Sequence, residues 1–219
     1  MRDLSLQAAA RISGIGLLAM AALAILGTLG TQSIVVAGDA IATAHNAATG
    51  EFLFRVGICA WLAVAILDVI VALALFVVLR PVNNALSLLG AWFRVAYAAV
   101  FVVAISNLLL AIQVLTAPAQ TMLALDAFKD TWTAGLVLFG VHLALVGYLV
   151  YVSRYIPRLL GVLLLIAAAG YLIANFGKIL YPAYGGALDA IIAVPAAIGE
   201  VAFAIWLLVR AARLGKSLG

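Results

Sequence analysis

The chain has 219 residues, of which 68% are hydrophobic and only 9% are charged, and its mean hydropathy is +1.29. A soluble domain of this length carries roughly 25% charged residues, so the composition excludes an ordinary water-soluble protein. The formal charge of +4 follows from membrane topology, as argued below, and requires no nucleic-acid partner.

Six long apolar segments follow one another along the chain. Each has about the length that a helix needs to cross roughly 30 Å of hydrocarbon, and none alternates as barrel strands do. The first segment exceeds the apolar core of a signal peptide, so we expect it to be retained. We predict an all-α, polytopic membrane bundle of about six transmembrane helices that forms a single domain over residues 1–219. The predicted helices cover residues 12–36, 56–79, 86–114, 131–152, 159–180 and 190–209.

Basic residues are concentrated on one side of the predicted membrane. With the N-terminus in the cytoplasm, the inner segments hold eight basic residues and the outer segments hold three. Cytoplasmic loops normally carry this excess, so we predict that both termini are cytoplasmic. The inner residues are Arg2, Arg11, Arg80, Arg154, Arg158, Arg210, Arg213 and Lys216, and the outer ones are Arg55, Lys129 and Lys178.

The connections between the segments differ in length on the two sides. Residues 80–84 and 153–158 form short inner turns, in which proline and asparagine end one helix and start the next. Residues 38–50 and 117–130 on the outside are long enough for a short surface helix, with Met122, Leu125 and Phe128 as its apolar edge. The two segments, residues 38–50 and 117–130, are equally consistent with simple connectors between membrane-spanning helices.

The segment from Gly135 to Gly161 resembles the DUF4386 family of bacterial multi-pass membrane proteins. Its characteristic stretches are Gly135–Leu143, Gly147–Tyr151 and Ser153–Gly161, together with Ala10–Gly14, Phe93–Val95, Gly199–Glu200 and Trp206–Leu208 elsewhere in the chain. In many relatives an acid follows the Phe-Arg-Val stretch, whereas this chain has Ala96 and Tyr97 there. The resemblance implies a multi-pass protein of the bacterial plasma (inner) membrane. The family's function is unknown, so the resemblance implies no chemistry.

Five polar side chains from five different predicted helices lie at one depth in the membrane. Each is about eight to twelve residues, or roughly 12–18 Å, from the cytoplasmic end of its helix. An ionisable group at this depth costs at least about 2.5–3.5 kcal/mol on insertion scales, so such groups usually pair inside the bundle and mark a site. We predict one buried cluster, made of Asp68, Arg94, His142, Tyr171 and Glu200.

This predicted cluster has one negative charge in excess, because Asp68 and Glu200 face the single charge of Arg94. A protonated carboxyl, a protonated His142 or a bound cation would each balance that charge, and each implies a different function. We expect Arg94 to pair with Glu200 and Asp68 to be the neutral carboxyl.

Helical periodicity extends the predicted cluster toward the outside. Tyr171, Asn175 and Lys178 lie on one stripe of the fifth predicted helix. The sixth has a second stripe, and Pro195 frees a backbone carbonyl about one turn above Glu200. The second stripe contains Asp189, Ala193, Ala196, Glu200 and Ala204. We predict that the two stripes line a polar cleft open to the outside and used by a ligand.

The sequence contains little that indicates an enzyme. It has no nucleophile, protease or nucleotide-binding motif. Haem and zinc sites lack ligands, because His45 lies in an outer connection and Cys59 is the single cysteine. We therefore predict no cofactor, no metal site and no catalytic residues.

Two functions remain open. The first is a membrane-embedded protein that binds or transports a small molecule or lipid, with proton coupling through the cluster. The alternative is an accessory or scaffolding subunit of a larger membrane complex, in which the cluster only fixes which helices meet. A sensing receptor is less favoured, because the inner turns are too short to recruit a partner. The bilayer is the predicted partner, and homo-oligomers or other membrane subunits stay open.

Overall fold

The computed structural model describes the backbone of residues 4–181, 183 and 185–214, and the side chains of residues 4–181, 183 and 197–211. All regular secondary structure in these residues is helical, as predicted. The helices are α1 (Leu6–Thr31), α2 (Ala40–Thr49), α3 (Glu51–Leu79), α4 (Asn84–Gln113), α5 (Pro118–Val152), α6 (Arg158–Leu180) and α7 (Gly185–Leu214). Among the described residues, α1, α3, α4, α5 and α6 are long and apolar enough to cross a membrane.

Helix α1 starts and ends earlier than the predicted range of 12–36. Its start is fixed by Ser5, whose side chain accepts a hydrogen bond from the backbone of Ala8, 3.2 Å away. The chain leaves the helix at Gln32, so the last five residues of the predicted segment form a turn. Apolarity alone does not mark this end, because Ile34, which is buried, lies beyond it.

The two outer connections differ in structure. Residues 38–50 contain the short helix α2, whose start is capped by Asp39. Residues 118–130 are instead the first turns of α5, a continuous helix of 35 residues. Leu125 and Phe128 in this extension are buried, and α2 packs on α5. Residues 118–130, predicted to be an outer connection, are therefore a continuous extension of α5.

The six long helices form a closed ring in chain order. Each packs mainly on its neighbours in sequence, and α7 packs on both α6 and α1. Neighbours run antiparallel: on α1, Gly30 contacts Gly57 of α3, whereas Gly16 contacts Val71 further along α3. We call the end of the ring with the start of α1 the N-terminal face, and the opposite end, with α2, the far face.

Two turns close the N-terminal face. The α5–α6 turn is ordered by Ser153, whose hydroxyl donates to the carbonyl of Val150 and accepts from the backbone N–H of Ile156. Tyr155 in this turn donates a hydrogen bond of 2.6 Å to the carbonyl of Val78, near the end of α3. Burial raises the pKa of Tyr155 to about 12, which keeps the phenol protonated as this donor.

Helices α5 and α6 approach closely next to this turn. A Cβ on Gly161 would lie 2.5 Å from the backbone nitrogen of Tyr151, and Gly147 faces the same contact from α5. Such close approach of small residues is how helices pack where no hydrophobic effect drives them together. The glycines in the family-like segment therefore have a packing role.

Candidate functional site

Arg94 lies at the centre of the ring and is paired with Asp68. The Arg94 Nη2 atom is 2.7 Å from Asp68 Oδ1, and the side chains are only 2% and 0% exposed. The prediction that Arg94 pairs with Glu200 is therefore wrong. Asp68 lies on α3, which packs directly on α4, whereas Glu200 lies on α7, across the ring.

His142 of α5 connects the Arg94 guanidinium to the backbone of α4, the helix that carries Arg94. Its Nε2 is 3.1 Å from Arg94 Nη1, and its Nδ1 is 2.8 Å from the carbonyl oxygen of Gly90. A guanidinium can only donate and a carbonyl can only accept, so His142 is neutral and carries its hydrogen on Nδ1. Neutral His142 therefore cannot balance the excess negative charge.

Two further contacts hold the guanidinium in place. Arg94 Nη2 lies 3.7 Å from the sulfur of Met20 on α1, and the guanidinium carbon lies 5.4 Å from the ring centre of Phe139 on α5. The sequence analysis missed Met20, Phe139 and the carbonyl of Gly90. Phe139 and Gly90 each lie one helical turn from a predicted residue, His142 and Arg94, which is the one signal that could have found them.

Glu200 forms a second group with Tyr171. The hydroxyl of Tyr171 donates to Glu200 Oε1 at 3.2 Å, and both side chains are half-buried. The positive charge of Arg94 is already paired with Asp68. Glu200 is thus the carboxyl in excess, and Tyr171 is its neutral hydrogen-bond donor.

A small cavity joins the two groups. It is lined by Arg94, His142 and Glu200, and on its apolar side by Leu17, Leu75, Leu143, Val146, Leu164 and Phe203. It has about 10 Å³ of room for the centre of a water molecule, close to the minimum that holds one water. Leu143 and Val146 lie on the N-terminal side of His142, and Phe203 lies on the N-terminal side of Glu200, so the cavity extends toward the N-terminal face.

The opposite side of the cluster is filled by aromatic rings, which we call the aromatic plug. Neighbouring rings in it have centres 5.0–5.8 Å apart. Trp61 donates to Thr31 and Trp132 donates to the hydroxyl of Tyr97, so both indole N–H groups are satisfied. The plug therefore fills the far side of Asp68, Arg94 and His142 between α3, α4 and α5. Its members are Trp61, Tyr97, Phe101, Phe128, Trp132 and Phe139.

Of the two stripes predicted to line an outward cleft, only part lies in the described residues. Asn175 is buried, and its amide donates to the carbonyl of Tyr171 on its own helix at 2.7 Å. Lys178 is half-buried in the last turn of α6. The side chains of Asp189, Ala193, Pro195 and Ala196 lie outside the described residues. The outward cleft stays a prediction, and the described cavity faces the other way.

The structure brings together five of the predicted residues, namely Asp68, Arg94, His142, Tyr171 and Glu200. Within the part of the chain that the structure describes, no three His, Cys, Asp or Glu side chains are grouped so that they could hold a metal ion. The arrangement can bind a proton on Glu200 and can hold one water next to a fixed positive charge.

Comparison with known proteins places the chain in a family. A family model described as "Domain of unknown function (DUF4386)" matches residues 12–211. The chain belongs to the DUF4386 family. It is similar to an uncharacterized protein of Archaeoglobus fulgidus, with 39% identity over 153 residues that cover 70% of this chain and 82% of the relative. No solved structure matches this DUF4386 protein.

The family prediction is therefore confirmed, and all five residues of the cluster lie in the matched region. The archaeal relative means that proteins similar to this DUF4386 chain are not confined to bacteria.

Proposed function

We propose that the protein crosses the plasma membrane six times, with both termini in the cytoplasm. The length of α7, 30 residues, and its packing between α6 and α1 support a sixth crossing. The eight basic residues assigned to the N-terminal face support the orientation. Single cysteines placed at Arg11 and Asp126 in a Cys59→Ser chain test it. A charged thiol reagent added outside intact cells should label the Asp126 position alone.

In this orientation the protein binds or transports a small molecule or lipid through the cluster, with proton coupling. The observation that carries this proposal is the excess carboxyl of Glu200. A cluster that only joined helices would need no charge beyond the Asp68–Arg94 pair. Glu200 instead lines the cavity opposite Arg94, where an ionisable group deep in a bilayer is costly and normally functional.

The size of the cavity adds a condition to this proposal. With room for about one water, the ring as described is closed around the site. A larger ligand requires neighbouring helices to separate. Helix α7 is a candidate for this movement, because its described side chains include Glu200 and no partner of Arg94.

Native mass spectrometry of the protein, extracted gently from its own membrane, tests the proposal. We expect a bound small mass on the wild type that is lost from Glu200→Gln, while the amount of folded protein is unchanged. Glu51→Gln is the matched control, since Glu51 is an exposed glutamate that pairs with Arg55. Wild-type protein without any bound mass would contradict a stable ligand site.

The second candidate is an accessory subunit. It is favoured by the chain of contacts from Asp68 through Arg94 and His142 to Gly90, which ties α3, α4 and α5 together. In that case the same spectrum shows a stoichiometric second polypeptide. Glu200→Gln would then leave the mass of the complex unchanged.

A further inference from the structure

The interior of the ring contains more unpartnered polar atoms than the Asp68–Arg94 pair explains. Asp68 Oδ2 and Arg94 Nε are buried without a hydrogen-bond partner, and so are the hydroxyl of Ser13 on α1 and, toward the far face, the side-chain oxygen of Asn175 on α6. Buried polar atoms are normally satisfied, and a bound water is the usual partner when no protein group is present. These atoms therefore indicate where water binds.

Ser13 places one of these waters on the N-terminal side of the cluster. It is 0% exposed and lies one helical turn before Leu17, which lines the cavity, so both side chains are on the same stripe of α1. Ser13 also lies about 10 Å nearer to the N-terminal face than Met20, at 1.5 Å per residue. Ser13, the cavity and Arg94 thus follow one another inward from the N-terminal face.

The surroundings of Glu200 leave one carboxylate oxygen for a proton. Tyr171 of α6 donates to Oε1, and α1 contributes the apolar Leu17. Across the cavity are Arg94, whose charge Asp68 already balances, and the neutral His142. A proton on the second oxygen would remove the excess negative charge.

We propose that Glu200 is a proton-binding carboxyl that exchanges its proton with the N-terminal face through water held between Ser13 and the cavity. The proton passes from a hydronium ion in this path to the free oxygen of Glu200, which leaves a neutral water and a neutral carboxyl. Among the described residues, the aromatic plug blocks the same exchange with the far face between α3, α4 and α5. This proposal rests on the proposed function and adds the path by which the coupled proton reaches Glu200.

Infrared titration of the full chain in lipid nanodiscs tests the proton site. We expect a buried carboxyl band that grows as the pH falls, disappears in Glu200→Gln and persists in Glu51→Gln. Glu200→Asp, which keeps a carboxyl at this position, should keep the band. This variant separates loss of the carboxyl from loss of the folded structure. A band that survives in folded Glu200→Gln would overturn the assignment.

Cysteine labelling tests the path. In the Cys59→Ser chain we introduce Ser13→Cys or Leu17→Cys, with Ala104→Cys as the control. Ala104 is as buried as Ser13 but lies on the far side of Arg94, and Leu17 is half-buried. A charged thiol reagent applied at the N-terminal face should react with Ser13→Cys and Leu17→Cys at least about tenfold faster than with Ala104→Cys, since the reactive thiolate forms only in contact with water.

Equal rates at all three positions, or faster reaction of Ala104→Cys, would overturn the path. A bound small mass without any carboxyl titration would refute the proton site alone and leave the proposed function standing. A carboxyl titration without a bound mass would keep the proton site and refute small-molecule binding.

Discussion

Removing the carboxylate of Asp68 should destabilise the protein more than any other single change in the cluster. Asp68→Asn leaves the guanidinium of Arg94, which is 1% exposed, without its charge partner. Breaking a buried ion pair from one side costs about 3–5 kcal/mol in free energy of unfolding. Glu200→Gln should cost less than about 1 kcal/mol, because a glutamine oxygen can still accept from Tyr171.

Reversible unfolding in mixed micelles, with increasing fractions of denaturing detergent, measures both effects. The double variant Asp68→Leu with Arg94→Met removes both charges and should be about 2 kcal/mol more stable than Asp68→Asn, although it leaves Nε2 of His142 without a donor. The reasoning is refuted if Glu200→Gln is the more destabilising single change. That result would mean that Glu200 is the true partner of Arg94.

Two further changes test the packing of the ring and its turn. Gly161→Ala should lower the thermal stability of the folded protein, because its Cβ would lie 2.5 Å from the backbone of Tyr151, whereas Gly90→Ala, with its nearest neighbour 3.6 Å away, should be tolerated. Thermal unfolding of both variants in the same detergent decides this, and equal midpoints would contradict the contact. Tyr155 should stabilise the folded protein at pH values below about 10, the pKa of its phenol in the unfolded chain. This stabilisation should be lost as the pH rises toward 12, because the folded state holds the phenol proton more tightly than the unfolded state does. Tyr155→Phe should remove this loss from the pH profile of the unfolding midpoint, and parallel profiles for the two proteins would argue against the bond to Val78.

The sequence predicted the helices and the depth of the cluster, because both depend on apolar length and on the rise per residue. It did not predict which carboxylate pairs with Arg94. Depth places Asp68 and Glu200 at one level in the membrane. Which of them pairs with Arg94 depends on which helices are neighbours in the ring. The short turn at residues 80–83, which makes α3 and α4 adjacent, was the available signal for Asp68.

The sequence also left the extension of α5 unresolved. Residues 118–130 are polar enough to look like a connection, yet Pro118 starts a helix and nothing interrupts it before Val152. The direction in which the cavity opens could not be predicted either. Trp61 and Trp132 are individually typical of an interfacial belt, and their edge-to-face contact inside the ring depends on which helices face each other.

The pairing of Asp68 with Arg94 also bears on how the chain enters the membrane. The two residues lie on consecutive helices that are joined by a short turn, so this hairpin carries a positive charge together with its own counter-ion. Either charge inserted alone would cost about 2.5–3.5 kcal/mol, and pairing during synthesis reduces that cost before the later helices exist. Glu200 arrives on the last helix, after the arginine has already been neutralised. The carboxylate that pairs with Arg94 is thus the one that lies nearer to it in the chain.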